Sequence, residues 1–286
     1  MALIGIIGGS GLYNIEGIKN VKEQEVTTPF GSPSDKIVTG ELSGVEVAFL
    51  PRHGKGHKIN PSEINYRANI FAMKKIGIER IISLSACGSL KEELKPMDFV
   101  LPDQFVDRTN QARNTTFLRD GIVGHISFAH PTCLDLSKVL YDSAKGLGIS
   151  IHMGGIYLNM EGPAFSTKAE SNLYRMWGMD IIGMTNITEA RLAREAEICY
   201  STLAAVTDYD CWHGSHESVN VDMIIEYLTK NVDNAKKIIK QTIANIPKER
   251  TCACKDALKF ALITSKDVIP EKVKKDLSVI IGKYVK

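Results

Sequence analysis

Short apolar, β-branched runs alternate with helix-periodic segments along almost the whole chain, and this alternation restricts the fold more than any other feature. Residues 3–7 read as a buried strand running into glycines. Residues 36–39 and 45–50 read as two strands joined by a turn at Ser43-Gly44. Asn60-Pro61-Ser62-Glu63 has the chemistry of a helix start: Asn caps, Pro fits the first turn and Glu is favoured there. That helix ends near Gly77, and residues 78–85 form the next strand, followed by a loop of small residues, Ala86-Cys87-Gly88-Ser89. Residues 132–147 look helical and 156–160 extended. Thr167-Lys168-Ala169-Glu170 is a capping box that starts a helix running to about Trp177. Strands at 179–184 and 198–206 flank a helix at 188–196, and 219–245 carries apolar residues at helical spacing. The pattern predicts an α/β protein with a mixed, mostly buried central β-sheet flanked by helices. No linker, repeat or low-complexity segment divides it, so residues 1–286 form a single domain. From about residue 255, Val273, Leu277, Ile280, Ile281 and Tyr284 predict a C-terminal helical extension.

Composition excludes several classes of function. With 286 residues, 44% hydrophobic and 24% charged, the chain buries a large core without disulfides or metals. A formal net charge of +2, with no basic block interleaved with aromatics, argues against a nucleic-acid partner. No apolar run approaches the ~20 residues that span a bilayer, and the N-terminus lacks the cationic lead-in of a secretory signal. A cytoplasmic enzyme with no membrane partner is expected. Of the six cysteines, Cys252-Ala253-Cys254 is unusual, but one C-x-C without a second Cys/His pair is thin support for zinc. Reduced thiols are the plainer reading, and disulfides occur in intracellular proteins of hyperthermophiles.

Five segments carry possible chemistry. Gly8-Gly9-Ser10-Gly11 follows the first strand and offers backbone N–H groups and a hydroxyl to an anion. The third glycine of a dinucleotide fingerprint is missing, which leaves a phosphate loop or a tight turn. Pro51-Arg52-His53-Gly54, with His57 beyond, ends another strand; the guanidinium fork suits phosphate better than the histidine spacing suits a metal. Residues 83–89 repeat the theme of small residues at a strand end. Three such ends converging on one sheet edge would make a ligand site. Thr207-Asp208-Tyr209-Asp210 follows an apolar strand with two acids on one face, fit for acid–base work, for a metal, or for solvent. Finally, Phe165 after Glu161-Gly162-Pro163 stacks on a flat ring or packs in the core.

Taken together and in order, these segments resemble the 5′-methylthioadenosine phosphorylases, within the trimeric purine nucleoside phosphorylases. The matching pieces are residues 5–12, Thr28-Pro29-Phe30-Gly31, Arg52-His53-Gly54, residues 86–89, Glu161-Gly162-Pro163 and residues 207–212. The resemblance covers residues 4–245 and implies a nucleoside phosphorylase-like fold assembled as a homotrimer or a dimer of trimers. It implies that Ser10, Arg52, His53, Ser85, Ala86 and Thr185 hold phosphate. It implies that Met184 lines the ribose, that Phe165, Ser166, Asp208 and Asp210 contact adenine, and that Val219, Val221 and Ile224 form the apolar wall. His57 joins the substrate-binding set, and His125 is the histidine such chains lend to a neighbour's site. Asn186 and Ala164 depart from the family's pattern, which bears on fine substrate preference rather than on the reaction. Cys133, Cys199, Cys252 and Cys254 fall where hyperthermophilic members form disulfides.

The implied activity is that of a pentosyltransferase of purine and methionine salvage: phosphorolysis of 5′-methylthioadenosine to adenine and 5-methylthioribose-1-phosphate. Asp208 and Asp210 are the catalytic candidates, with Asp208 the acid at the purine N7. Inorganic phosphate is a co-substrate, and neither cofactor nor metal is expected. A broader purine nucleoside or methylthioinosine phosphorylase is the alternative within the class, and a dinucleotide-binding protein the alternative outside it.

Overall fold

In the computed structural model the described residues are 3–9, 12, 15–110, 113–214 and 221–285, with the backbone alone at 221–226 and 228. Among the described residues, eleven strands form one mixed sheet. They are β1 (Leu3–Gly8), β2 (Lys19–Gln24), β3 (Ile37–Leu42), β4 (Val45–Pro51), β5 (Ile78–Ser89), β6 (Phe99–Leu101), β7 (Gln104–Arg108), β8 (Ile151–Met153), β9 (Ile156–Met160), β10 (Ile181–Gly183) and β11 (Cys199–Asp208). The helices are α1 (Tyr66–Lys75), α2 (Leu134–Gly146), α3 (Lys168–Met176), α4 (Asn186–Glu195), α5 (Val221–Asn245), α6 (Glu271–Asp276) and α7 (Ser278–Ile281). None is long and apolar enough to cross a membrane.

The continuous apolar runs arise because the central strands are buried on both faces. Side chains alternate across a strand, so Ile7, Leu50 and Ile81 face α1, α4 and the C-terminal segment, while Ile6, Phe49 and Ile82 face α2 and α5. The capping box at Thr167 is present: its hydroxyl accepts from the Glu170 N–H, and the Glu170 carboxylate accepts from the Thr167 N–H at 2.8 Å. The C-terminal extension is a single 3₁₀ turn, Ala253–Asp256, followed by α6 and α7, and it buries Leu277, Ile280 and Ile281 in the core.

Two expected boundaries move. Helix α1 starts at Tyr66 with Asn65 as its cap, not at Asn60. The Asn60 side chain instead accepts from the N–H groups of Ser62 and Glu63, closing a local turn that competes with a helix start. Ala86-Cys87-Gly88-Ser89 is not a loop; it is the end of β5, paired along Ala86–Gly88 with β11.

Candidate active site

Strands β1, β4, β5 and β11 run parallel, so their carboxyl ends share one edge of the sheet. On one side, β5 pairs with β1 as far as Ser83, opposite Ile7. On that same side β10 joins it antiparallel at Gly88, opposite Ile182. Both strands lie across β5 from β11, so among the described residues no strand lies beside 84–87 there. This switch of neighbours opens the kind of crevice where open α/β sheets take ligands. Ser85 and Ala86 lie in the gap, and the Arg52 N–H donates to the Gly8 carbonyl at 2.8 Å, tying two strand ends together.

Arg52 is buried, and its carboxylate partner is Glu189 in α4. Nε donates to Glu189 Oε1 at 2.5 Å, Nη2 to Glu189 Oε2 at 3.2 Å and to Ser83 Oγ at 2.6 Å, and Nη1 to the Leu84 carbonyl at 3.0 Å. Of the five guanidinium N–H groups, one on Nη1 is left over. Burial opposes the charge on Arg52, but Glu189 outweighs it and holds the guanidinium protonated. Glu189 also accepts from Ser83 and from Tyr200, at 2.8 and 2.9 Å. Asn186 extends the network through its amide to Ser83, Tyr200 and Thr202. These contacts make Arg52 a buried strut between strand ends and α4.

His53 Nδ1–H donates to the Ile59 carbonyl at 2.8 Å, which leaves Nε2 as the acceptor. Burial, then the charge of Arg52, pushes its pKa down to about 4, so the ring is neutral at pH 7. His57 stacks on it at 4.1 Å between centroids and is exposed. Thr185 is the N-cap of α4 but makes no side-chain cap bond; the Ile187 N–H of the first turn donates instead to Asn159 Oδ1 at 3.0 Å.

Asp208 ends β11 and is buried. Burial pushes its carboxyl up to about 6, against hydrogen bonds from Thr207 and from the Asp210 N–H; the Asp210 charge adds to the rise. Those bonds measure 2.7 Å to Oδ2 and 2.8 Å to Oδ1. Asp210 is also raised, by burial first, with the Ser171 and Ser166 hydroxyls opposing. Gly88 is opposite Asp208, and a Cβ there would sit 2.9 Å from Asp208 Oδ1. The Cys211 thiol donates to the Ser166 carbonyl at 3.4 Å, so Ser166 lies beside the acidic pair, while Phe165 is 46% exposed on the rim.

Met184 is half-buried after β10. Arg113 holds it, and sequence reasoning missed Arg113: Nη1 donates to the Met184 carbonyl at 2.6 Å, Nε to Glu161 Oε1 at 3.0 Å and Nη2 to the Glu161 carbonyl at 2.8 Å. Gly162 is needed here, since a Cβ would meet Met184 Sδ at 2.5 Å and its φ is +73°. No local pattern around Arg113 signals this role; its partners lie 48 and 71 positions on. Glu189 was missed for the same reason. His125 is exposed, and its N–H donates to the Ala261 carbonyl at 2.8 Å, so within one chain it packs with the C-terminal segment. Ser10 and Val219 lie outside the described residues, and Val221 and Ile224 are placed in α5 by backbone alone.

The chain belongs to the Phosphorylase superfamily, which it matches over residues 3–244. Within it the chain belongs to the S-methyl-5′-thioadenosine phosphorylase family. The protein of that name from Geobacter sulfurreducens is 57% identical over 283 residues, 99% of each chain. A crystal structure of a methylthioadenosine phosphorylase from an antarctic soil metagenomic library superposes with a TM-score of 0.93 at 48% identity, covering 98% of both chains. The methylthioadenosine phosphorylase of Schistosoma mansoni, solved with adenine, superposes at 0.81 with 35% identity, covering 99% of this chain and 98% of that one. The kinship sets aside a dinucleotide-binding reading of the first glycine loop.

Proposed function

We infer that this protein cleaves 5′-methylthioadenosine with inorganic phosphate, giving adenine and 5-methylthioribose-1-phosphate. The observation that carries the reading is Asp208: a buried carboxyl, pushed up to about 6, beside the gap in the sheet that holds Ser85 and Ala86. The relatives' names agree with it.

In the reaction the C1′–N9 bond breaks and its electron pair passes into the purine. Positive charge develops on the ribose, and the phosphate beside it stabilises that charge and then bonds to C1′. Asp208 gives its proton to N7, so neutral adenine leaves and a carboxylate remains, to be reprotonated from solvent. The phosphate subsite is assigned to Ser10, Arg52 through its remaining Nη1–H, His53, Ser85, Ala86 and Thr185 at the N-terminus of α4. A neutral His53 with an acceptor Nε2 suits a hydroxyl of monohydrogen phosphate. Met184 faces the sugar; Phe165, Ser166 and Asp210 face the base. We place the enzyme in the cytoplasm as a trimer or a dimer of trimers.

The test is direct. Purified protein incubated with 5′-methylthioadenosine should release adenine only when phosphate is present, with one phosphate consumed per adenine. Adenine release independent of phosphate would sink the reading, as would phosphorolysis of inosine faster than of methylthioadenosine.

A further inference from the structure

Four cysteines meet at the end of the sheet away from the crevice. Cys133 precedes α2, Cys199 opens β11, and Cys252 and Cys254 bracket the entry to the 3₁₀ turn after α5. Their four sulfurs all lie within 4.8 Å of one another, with Cys199 and Cys252 at 3.2 Å. Three of the four are buried and Cys252 is half-buried, and all are free thiols. In sequence the C-x-C stood alone; in space Cys133 and Cys199 supply its second pair.

A zinc ion bonds thiolate sulfur at ~2.3 Å, so a tetrahedral set needs sulfurs roughly 3.8 Å apart. The tetrad meets that spacing with shifts of under about 1 Å. An all-sulfur donor set selects a thiophilic ion and rejects magnesium or calcium, which take oxygen. A second observation is the charge around the tetrad. Arg80 and Arg250 line a cavity of about 50 Å³ together with Cys133, Cys199 and Cys252, and the acids Asp135 and Glu249 line it too. Arg80 is buried and in register with Cys199 across β5 and β11. Its Nη2 donates to the carbonyls of Pro247 and Glu249, but its Nη1 is buried with no hydrogen-bond partner among the described residues. A four-thiolate zinc centre carries a net charge of −2, and guanidinium groups beside it are the natural counter-charge and donors to sulfur.

We propose that Cys133, Cys199, Cys252 and Cys254 form a structural zinc site. Zn²⁺ replaces the four thiol protons, which leave to solvent, and no oxidant or reductant takes part. The site is structural because it stands apart from the crevice. Cys199 and Asp208 are the two ends of β11, ten residues that span about 30 Å. The ion would pin the start of the C-terminal segment, just beyond α5, to the sheet and to α2.

The test uses full-length protein purified without chelator from zinc-supplemented cells. Elemental analysis should find about one zinc per chain. Cobalt exchanged into the site should give a thiolate-to-metal charge-transfer band in the near ultraviolet and the strong visible bands of tetrahedral cobalt. Cys252→Ser/Cys254→Ser should lose both the zinc and the cobalt spectrum, while Cys211→Ser should keep both. After denaturation with chelator, all six cysteines should react as free thiols. Should the double variant fail to fold, the wild-type cobalt spectrum and thiol count decide alone. A metal-free protein with only two reactive thiols would mean two disulfides and overturn the proposal. So would six free thiols that take up neither zinc nor cobalt, or zinc retained by the double variant.

Discussion

In the proposed reaction Asp208 bears the heaviest chemical demand, because one carboxyl would hold a proton near neutrality and read the base. Adenine offers N7 as acceptor beside N6 as donor, and a protonated carboxyl answers both. A 6-oxopurine sets an acceptor against the remaining carboxyl oxygen, a mismatch of about 1–3 kcal/mol, so methylthioadenosine should outrun inosine at least tenfold in kcat/KM. Asp208→Asn keeps the shape without the proton and should lower kcat on methylthioadenosine by roughly 10²–10⁴, with a smaller loss on inosine. Equal losses on both would show that the base is read elsewhere. With the carboxyl at about 6 in the free enzyme, kcat/KM should fall as pH rises above that value, and the limb should vanish in Asp208→Asn. The same upward shift contributes stability below the ordinary aspartate range that is lost as pH rises through about 6. The acids at 208 and 210 were legible because charge directly after an apolar strand is conspicuous. The environment of Arg52 was not, because its carboxylate lies 137 positions away on α4. Arg52→Ala should thus do two things. It should raise the phosphate KM by over tenfold, and it should cost about 3–5 kcal/mol by stranding Glu189. Arg52→Met/Glu189→Leu separates them: thermal stability should largely return while the phosphate KM stays high. Recovery of both would confine Arg52 to a structural role.

At the scale of elements, the crevice exists because β5 changes neighbours between Ser83 and Gly88, and its floor depends on how closely β11 approaches there. Gly88→Ala would place a methyl 2.9 Å from Asp208 Oδ1 and 3.1 Å from Ile182, and both groups must give way. Since Asp208 moves more freely than the packed Ile182, the expected outcome is a fall in kcat well beyond any change in melting temperature. Steady-state kinetics beside a thermal melt check it; a destabilised enzyme with wild-type kcat would show that the strand moved instead. The strands and helices of the core were legible because both faces are buried and the apolar runs are continuous. β2 was not: it is an exposed edge strand, Lys19–Gln24, with no apolar alternation. β6 and β8 were too short, at three residues each, to carry a period. Asn60 misled because an Asx turn and a helix cap use the same side-chain chemistry, and only the following backbone distinguishes them.

At the scale of the whole molecule, the question is whether one chain completes its own site. His125 sits on a segment bridged to the C-terminal extension, through Gly124 opposite Leu262 and through the Ala261 carbonyl. That bridge gathers exposed apolar side chains: Val123, Ile263 and Phe260, the last 88% exposed. Apolar groups gathered this way favour contact with another protein surface, and a second copy is the simplest partner. If the copy brings its His125 to the neighbour's sugar subsite, each site draws Asp208 from one chain and His125 from the next. Neither His125→Ala nor Asp208→Asn homo-oligomers should then cleave well. Mixing the two chains by co-expression should create intact sites wherever an Asp208-bearing chain meets a His125-bearing neighbour, about one quarter of all sites in a random mixture. Activity should therefore rise well above that of either variant alone, and it should track the fraction of mixed oligomers resolved by differently tagged chains. Mixed oligomers no more active than the parents, or a verified monomer with full kcat/KM, would place the whole site within a single chain.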